Sequence, residues 1–72
     1  MLDQALLSRR LTGLAVRVAA LEREIAAMGQ AAGAWWSGPA AERFQAELRH
    51  RRAVLASVRG DLHAAAALIL TP

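Results

Sequence analysis

In the first half of the chain the larger apolar residues fall at Leu7, Leu11, Leu14, Val18, Leu21, Ile25 and Met28, in alternating steps of four and three. A seven-residue repeat sustained in this way marks a helix that buries one stripe of its surface. The residues between are mainly Ala, Arg and Glu, all good helix formers, and Asp3 suits the N-cap or the first turn. Gly13 is the weak interior position, but its cost of about 1 kcal/mol relative to alanine is too small to break a helix of this length. Between Gly29 and Pro39 the pattern stops: Gly29, Gly33 and Gly38 cluster with Ser37 and Pro39, which reads as a turn. Helix 1 is therefore expected over about 3–30, ending somewhere between Met28 and Ala34, because Ala32 and Trp35 would continue the stripe past Gly29.

Pro39 fits the first turn of a second helix, where its missing N–H is not needed, and Ser37 or Gly38 can serve as the N-cap. From there Ala41, Phe44, Leu48, Arg51, Leu55, Val58, Leu62, Ala65 and Ile69 step again by three and four, with one arginine in an otherwise apolar stripe. Helix 2 is expected over about 39–70, roughly 45 Å long against roughly 40 Å for helix 1. The reading is an all-α, antiparallel two-helix hairpin occupying residues 1–72 as a single unit, with the Trp-Ser-Gly turn inside 31–38. Leu11, Leu14, Val18, Leu21 and Ile25 are expected to face Phe44, Leu48, Leu55, Val58 and Leu62. Lines of small residues lie beside both stripes: Ser8, Thr12, Ala15, Ala19 and Ala26, and Ala46, Ala53, Ser57, Gly60, Ala64 and Ala67. They are either candidate docking surfaces or the ordinary result of frequent alanine.

Size makes a partner part of the expectation. A chain of 72 residues buries a smaller fraction of its surface than a larger domain. With no cysteine there is neither a disulfide framework nor a thiolate zinc site, which leaves oligomerisation as the staple. The hairpin is thus expected to pair with a second copy or with a different helical hairpin into a four-helix bundle. The candidate interface positions are Leu14, Val18, Leu21, Ile25, Leu48, Arg51, Leu55, Val58 and Leu62.

Charge adds little to this picture. Nine cations, all arginine, stand against six acids for a net +3, and they divide as four Arg and three acids over residues 1–34 and five Arg and three acids over 35–72. Neither half is a basic arm, so no nucleic-acid partner is expected. In Arg49-His50-Arg51-Arg52 the side chains point around most of a helix rather than along one face, and Glu47 stands one turn before Arg51 as an i,i+4 partner. A rarer role for Arg51 is pairing with an acid on another chain to fix register.

His50 and His63 are thirteen residues apart without a neighbouring ligand at metal spacing, and the acids form no constrained pair. No catalysis, metal or cofactor is expected. The longest apolar run, Ala64 to Leu70, is far short of the roughly 20 residues that span a bilayer. Met1-Leu2-Asp3-Gln4 has no basic region leading into an apolar stretch, so neither a membrane span nor a cleaved secretory signal is expected.

Trp36-Ser37-Gly38 sits in the turn, and Phe44 follows Trp36 by eight positions at the start of helix 2. A Trp-X-Gly turn between two heptad helices, with an aromatic at that spacing, resembles the WXG family of ESAT-like (early secreted antigenic target) proteins. The likeness spans the hairpin and its turn. It implies a dimeric four-helix bundle exported folded by a type VII secretion apparatus, cytoplasmic before export and without a cleaved signal. It also implies that Trp36 and Gly38, with Trp35 and Phe44 beside them, contribute to recognition by the machinery. For both tryptophans, burial that anchors the turn is the plainer role, and either Trp35 or Trp36 can be the one that packs inward. The chain has no tyrosine, so the family's C-terminal signal, a tyrosine followed four residues later by an acid, is missing. The resemblance then implies travel on a partner that carries the signal, or an adaptor role inside the cell.

Overall fold

The computed structural model describes residues 3–71; the parts of the N-terminal reading that concern Met1 and Leu2, and the last residue, Pro72, lie outside them. Two helices make up the fold, α1 (Gln4–Gly33) and α2 (Pro39–Leu70), with no strand among the described residues. They pack antiparallel along their length as a rod with extents of 56 × 15 × 13 Å. Asp3 is the N-cap of α1: its Oδ1 accepts from the backbone N–H of Ala5 at 3.0 Å and of Leu6 at 3.2 Å. This satisfies two of the donors that a helix start leaves free.

Helix α1 ends at Gly33, inside the interval Met28 to Ala34 read from the sequence and three residues past the approximate bound of 30, so the turn narrows from 31–38 to 34–38. The reason lies in Gly29, which is a contact position and not a stop. Gln45 of α2 donates from Nε2 to the Gly29 carbonyl at 2.8 Å. A Cβ on Gly29 would stand 2.9 Å from Gln45 Oε1 and 3.4 Å from a Leu48 methyl. A side chain there would have to displace the Gln45 amide, the end of a flexible side chain, from its hydrogen bond to the Gly29 carbonyl, while its contact with Leu48 would be ordinary packing.

The face between the helices is also turned relative to expectation. On α1 the residues directed at α2 are Ser8, Leu11, Ala15, Val18, Glu22, Ile25, Gly29 and Ala32; on α2 they are Ala41, Gln45, Leu48, Arg52, Leu55, Arg59, Leu62, Ala66 and Ile69. All are buried or half-buried except Arg52. Both sets keep the three-and-four step, and they share Leu11, Val18, Ile25, Leu48, Leu55 and Leu62 with the predicted stripes. The second column differs. Ser8, Ala15, Glu22 and Gly29 take the places expected for Leu7, Leu14, Leu21 and Met28, and Leu14, Leu21 and Val58 are 44%, 47% and 41% exposed. Three of these places, Ser8, Ala15 and Gly29, hold small residues, which let two helix axes approach closely and bring the flanking Leu, Val and Ile into contact; the fourth, Glu22, reaches across to Arg59 instead. Ser8 pins one end of the seam by donating its hydroxyl to the Ala66 carbonyl at 3.1 Å in a buried position. Of the two small-residue lines, that of α1 thus supplies Ser8 and Ala15 to the hairpin's own seam, whereas Ala46, Ala53, Ser57, Gly60, Ala64 and Ala67 face solvent.

Ala15 has no exposed surface. Ala15→Leu is expected to destabilise the hairpin by about 1–3 kcal/mol through overpacking. Ala53→Leu, on an exposed position, should stay within about 0.5 kcal/mol of the parent. Chemical denaturation followed by circular dichroism at one fixed concentration compares the two; equal effects would place the seam elsewhere.

Candidate functional site

Two features outside the seam concentrate recognisable chemistry, the aromatic turn and the apolar flank that continues from it. At the turn, the N–H groups of Trp35 and Trp36 both bond to the Ala32 carbonyl, at 3.2 and 2.9 Å, so the last turn of α1 carries the tryptophans directly. Gly38 follows at φ 106 and ψ 179, a conformation that is essentially restricted to glycine. A Cβ there would meet no atom within 4 Å, so the requirement is one of backbone angle and not of space. Gly38 is the N-cap of α2, Pro39 occupies the first turn, and the Glu42 N–H closes that turn on the Gly38 carbonyl at 2.9 Å.

This geometry decides between the tryptophans. Trp36 turns inward, half-buried, with its ring 5.4 Å from that of Phe44 at 46°. Trp35 stacks on the outer side of Trp36 at 5.9 Å and 16° and is 77% exposed. Trp36, Gly38, Ala41, Glu42, Gln45 and Arg49 line an open groove at this end of the rod. The predicted turn residues Trp35, Trp36, Gly38 and Phe44 are thus one cluster, three aromatic rings in series running from the helix contact to solvent.

Along one flank of the rod, the large residues displaced from the seam form a second column. Leu14, Leu21 and Met28 on α1 stand seven apart, and Trp35 continues the step. On α2 Val54 and Val58 are exposed. Ile25, Glu47, His50, Arg51, Val54 and Leu55 line the groove between the helices on this side. Arg51 lies here on the solvent side of the predicted stripe, and its Nε is 3.0 Å from Glu47 Oε1, the i,i+4 pair read from the spacing.

The opposite flank is polar. Arg59 grips Glu22 across the hairpin with two hydrogen bonds, 2.7 Å from Nε to Oε2 and 3.3 Å from Nη2 to Oε1. Arg52 and Arg23 lie along the same groove. The hydrogen bonds from Arg59 hold the Glu22 carboxyl below the usual glutamate range, aided by the charges of Arg59, Arg52 and Arg23 and opposed by partial desolvation; the same pairing raises Arg59. Glu22 is therefore a fixed anion, suited to pairing and not to donating a proton. In the sequence Glu22 falls within the small-residue line of α1, between Ala19 and Ala26, with nothing local to mark its partner. The antiparallel register, in which positions adding to about 74 lie level (Ser8 with Ala66, Gly29 with Gln45), sets Arg52 level with Glu22. Arg59 reaches Glu22 from two turns farther along α2, an offset that the register alone does not give.

Among the described residues, no group of three or more His, Cys, Asp or Glu side chains gathers in a metal-binding arrangement. One 18-residue window of α2 reaches a mean hydropathy of 1.5, enough by length and composition to cross a bilayer, and 6% of it is buried. The expectation of no membrane span rests on the short uninterrupted apolar run Ala64 to Leu70, whereas this longer window passes by mean hydropathy while containing two charges. Arg59 and Asp61 would each cost about 2.5–3.5 kcal/mol at the bilayer centre, and Arg59 is bound to Glu22. Compared with protein-family models, with curated proteins and with solved structures, the chain finds no match.

Two outcomes follow from these contacts. Gly38→Ala should cost about 1–3 kcal/mol in unfolding free energy, since alanine must enter a glycine-only region; a change below about 0.5 kcal/mol would mean that the turn relaxes to another conformation. Because Glu22 titrates lower in the folded chain, the stability it contributes is complete above the unfolded glutamate pKa of about 4.3 and is lost as pH falls through the lower folded value. Glu22→Gln should therefore flatten that part of the acid side of the stability profile, measured by thermal melts between neutral pH and about pH 2. An unchanged slope would show that other carboxylates govern it.

Proposed function

We propose that this chain is a non-enzymatic helix-pairing protein and, more particularly, a WXG-like substrate, partner or adaptor of a type VII secretion system. The observation that carries the pairing is the outward column of Leu14, Leu21 and Met28 with Val54 and Val58, large apolar residues left in water beside a seam built on small ones. Contiguous apolar surface rimmed by charge is how protein contact faces are recognised, and a second helical hairpin offers a matching stripe. The secretion part rests on the resemblance of Trp36-Ser37-Gly38 and Phe44 to the WXG turn, with the aromatic series reaching solvent at Trp35. On this reading the protein is cytoplasmic before export. It leaves folded and without a cleaved signal, on a partner that supplies the tyrosine-based signal, or it stays behind as an adaptor.

One observation favours a second reading, a hairpin oligomerisation module unrelated to secretion. Trp36 already has partners within the chain, Phe44 on one side and Trp35 on the other, so anchoring the turn accounts for it. The substitution Trp36→Ala separates the two. If the turn is a recognition element, helix content and oligomeric mass should hold while export, or binding to the secretion apparatus in a strain with a type VII system, falls by roughly tenfold or more, as at a binding hot spot. Leu48→Asp, placing a charge at a buried seam position, is the unfolded control. If Trp36→Ala unfolds the chain as Leu48→Asp does, the tryptophan is an anchor and the secretion reading loses its best residue; if it changes neither fold nor binding, the plain oligomerisation module is favoured.

A further inference from the structure

We infer that the outward apolar flank is covered by a second copy of this chain, turned end for end about a two-fold axis across the rod, with Glu47 of each copy opposite Arg51 of the other. The inference rests on the helix-pairing reading and names its partner and register. Its starting point is the one charged pair on the groove of that flank. Glu47 and Arg51 sit one helical turn apart, 3.0 Å from each other, with more than half of each side chain exposed. Around them the groove is lined by Ile25, His50, Val54 and Leu55, and Leu21 and Met28 lie on the same stretch of α1. A pair of opposite charges along a helix is complementary to itself when inverted, which is what an isologous two-fold contact requires.

The position of the pair selects the axis. A two-fold parallel to the rod would lay α2 over the copy's α1, where Glu24 could meet Arg51 but Glu47 would stand against Ile25 and Met28 without a cation. Covering charges with apolar side chains is costly. A two-fold across the rod, level with the pair, lays α2 antiparallel on the copy's α2. Glu47 then meets Arg51 of the second copy, and by the same inversion Phe44 meets Val54. That axis lies about thirteen residues, roughly 20 Å, from the turn, so the two rods overlap over roughly 40 Å of the 56 Å length. The overlap takes in Leu14, Leu21, Met28, Val54 and Val58 and leaves Leu6, Leu68 and Leu70 outside, all of them exposed in the single hairpin.

The test is the oligomeric mass of the full chain by sedimentation equilibrium, with helix content checked by circular dichroism, for the parent, Glu47→Arg, Arg51→Glu and the double exchange Glu47→Arg/Arg51→Glu. The parent should be a dimer at micromolar concentration. Each single reversal places like charges opposite each other and should weaken self-association by roughly tenfold or more. The double exchange should restore it, and an equimolar mixture of the two single variants should form a mixed dimer. Because the double exchange carries both substitutions at these exposed positions, its recovery separates loss of pairing from loss of folding. A dimer indifferent to the single reversals, or singles that neither the exchange nor the mixture rescues, overturns the register. A parent that is monomeric throughout overturns the second copy as partner, yet leaves the helix-pairing reading standing for a different hairpin, tested through Trp36 as above.

Discussion

The close approach of α1 and α2 is the constraint on which the rest of this structure depends. It requires that the positions where the helix axes come nearest carry little or nothing beyond the backbone: Ala15 with no exposed surface, Ala41 and Ala66 nearly so, and Gly29 under Gln45 and Leu48. Side chains at those points would separate the helices and pull Leu11, Val18, Ile25, Leu55 and Leu62 out of contact. The seam is therefore thin: among the described residues Leu48, 7% exposed, is its one large buried apolar side chain. Direction comes from polar groups instead. Ser8 on Ala66, Gln45 on Gly29 and Arg59 on Glu22 each bond across the hairpin, and only the antiparallel register brings all three together.

A thin seam has a consequence on the outside. Each helix carries one column that serves both faces, Leu11, Val18 and Ile25 on α1 and Leu48, Leu55 and Leu62 on α2, and on either side of it lies a second column. The small column closes the hairpin; the large one, Leu14, Leu21 and Met28, remains in water. A hairpin that spent its large residues on its own seam would be better buried alone and would offer a partner less. The distribution found here gives up internal burial and leaves large apolar residues exposed on one flank, the surface that the proposed helix pairing would use in a chain whose size limits how much core it can build by itself.

This division explains what the sequence could and could not show. The three-and-four step is a property of each helix and survives whichever neighbouring column turns inward, so two helices in a hairpin were legible at once. Which column faces the partner helix depends on how close the axes come, a tertiary quantity, and the preference for large residues in a core pointed to the wrong one. Gly29 misled for the same reason: its value is proximity to Gln45, which no local rule for glycine expresses. The turn was more legible because its rules are local. Pro39 needs no N–H partner, Gly38 holds angles that other residues avoid, and Asp3 caps its own helix. The choice between Trp35 and Trp36 was not legible, since consecutive residues differ by about 100° around a helix and a small change in where α1 ends exchanges their roles.

The charges divide along the same line. Glu22 and Arg59 sit on the seam, and their hydrogen bonds hold Glu22 ionised, so the pair acts within the hairpin and adds to its register. Glu47 and Arg51 lie on the exposed apolar flank, bonded to each other along one helix and, among the described residues, to no group across the hairpin. An exposed i,i+4 pair of this kind contributes only about 0.3–0.5 kcal/mol to its helix, too little to explain an interruption of an apolar stripe by stability alone. Placing charge on an otherwise apolar face lowers the number of ways in which that face can be covered. An apolar stripe slides easily against another, whereas a buried charge without its opposite is penalised at every register but one. In the helix pairing proposed above, the stripe would supply the attraction, and the interruption at Glu47 and Arg51 the discrimination that a uniform stripe lacks.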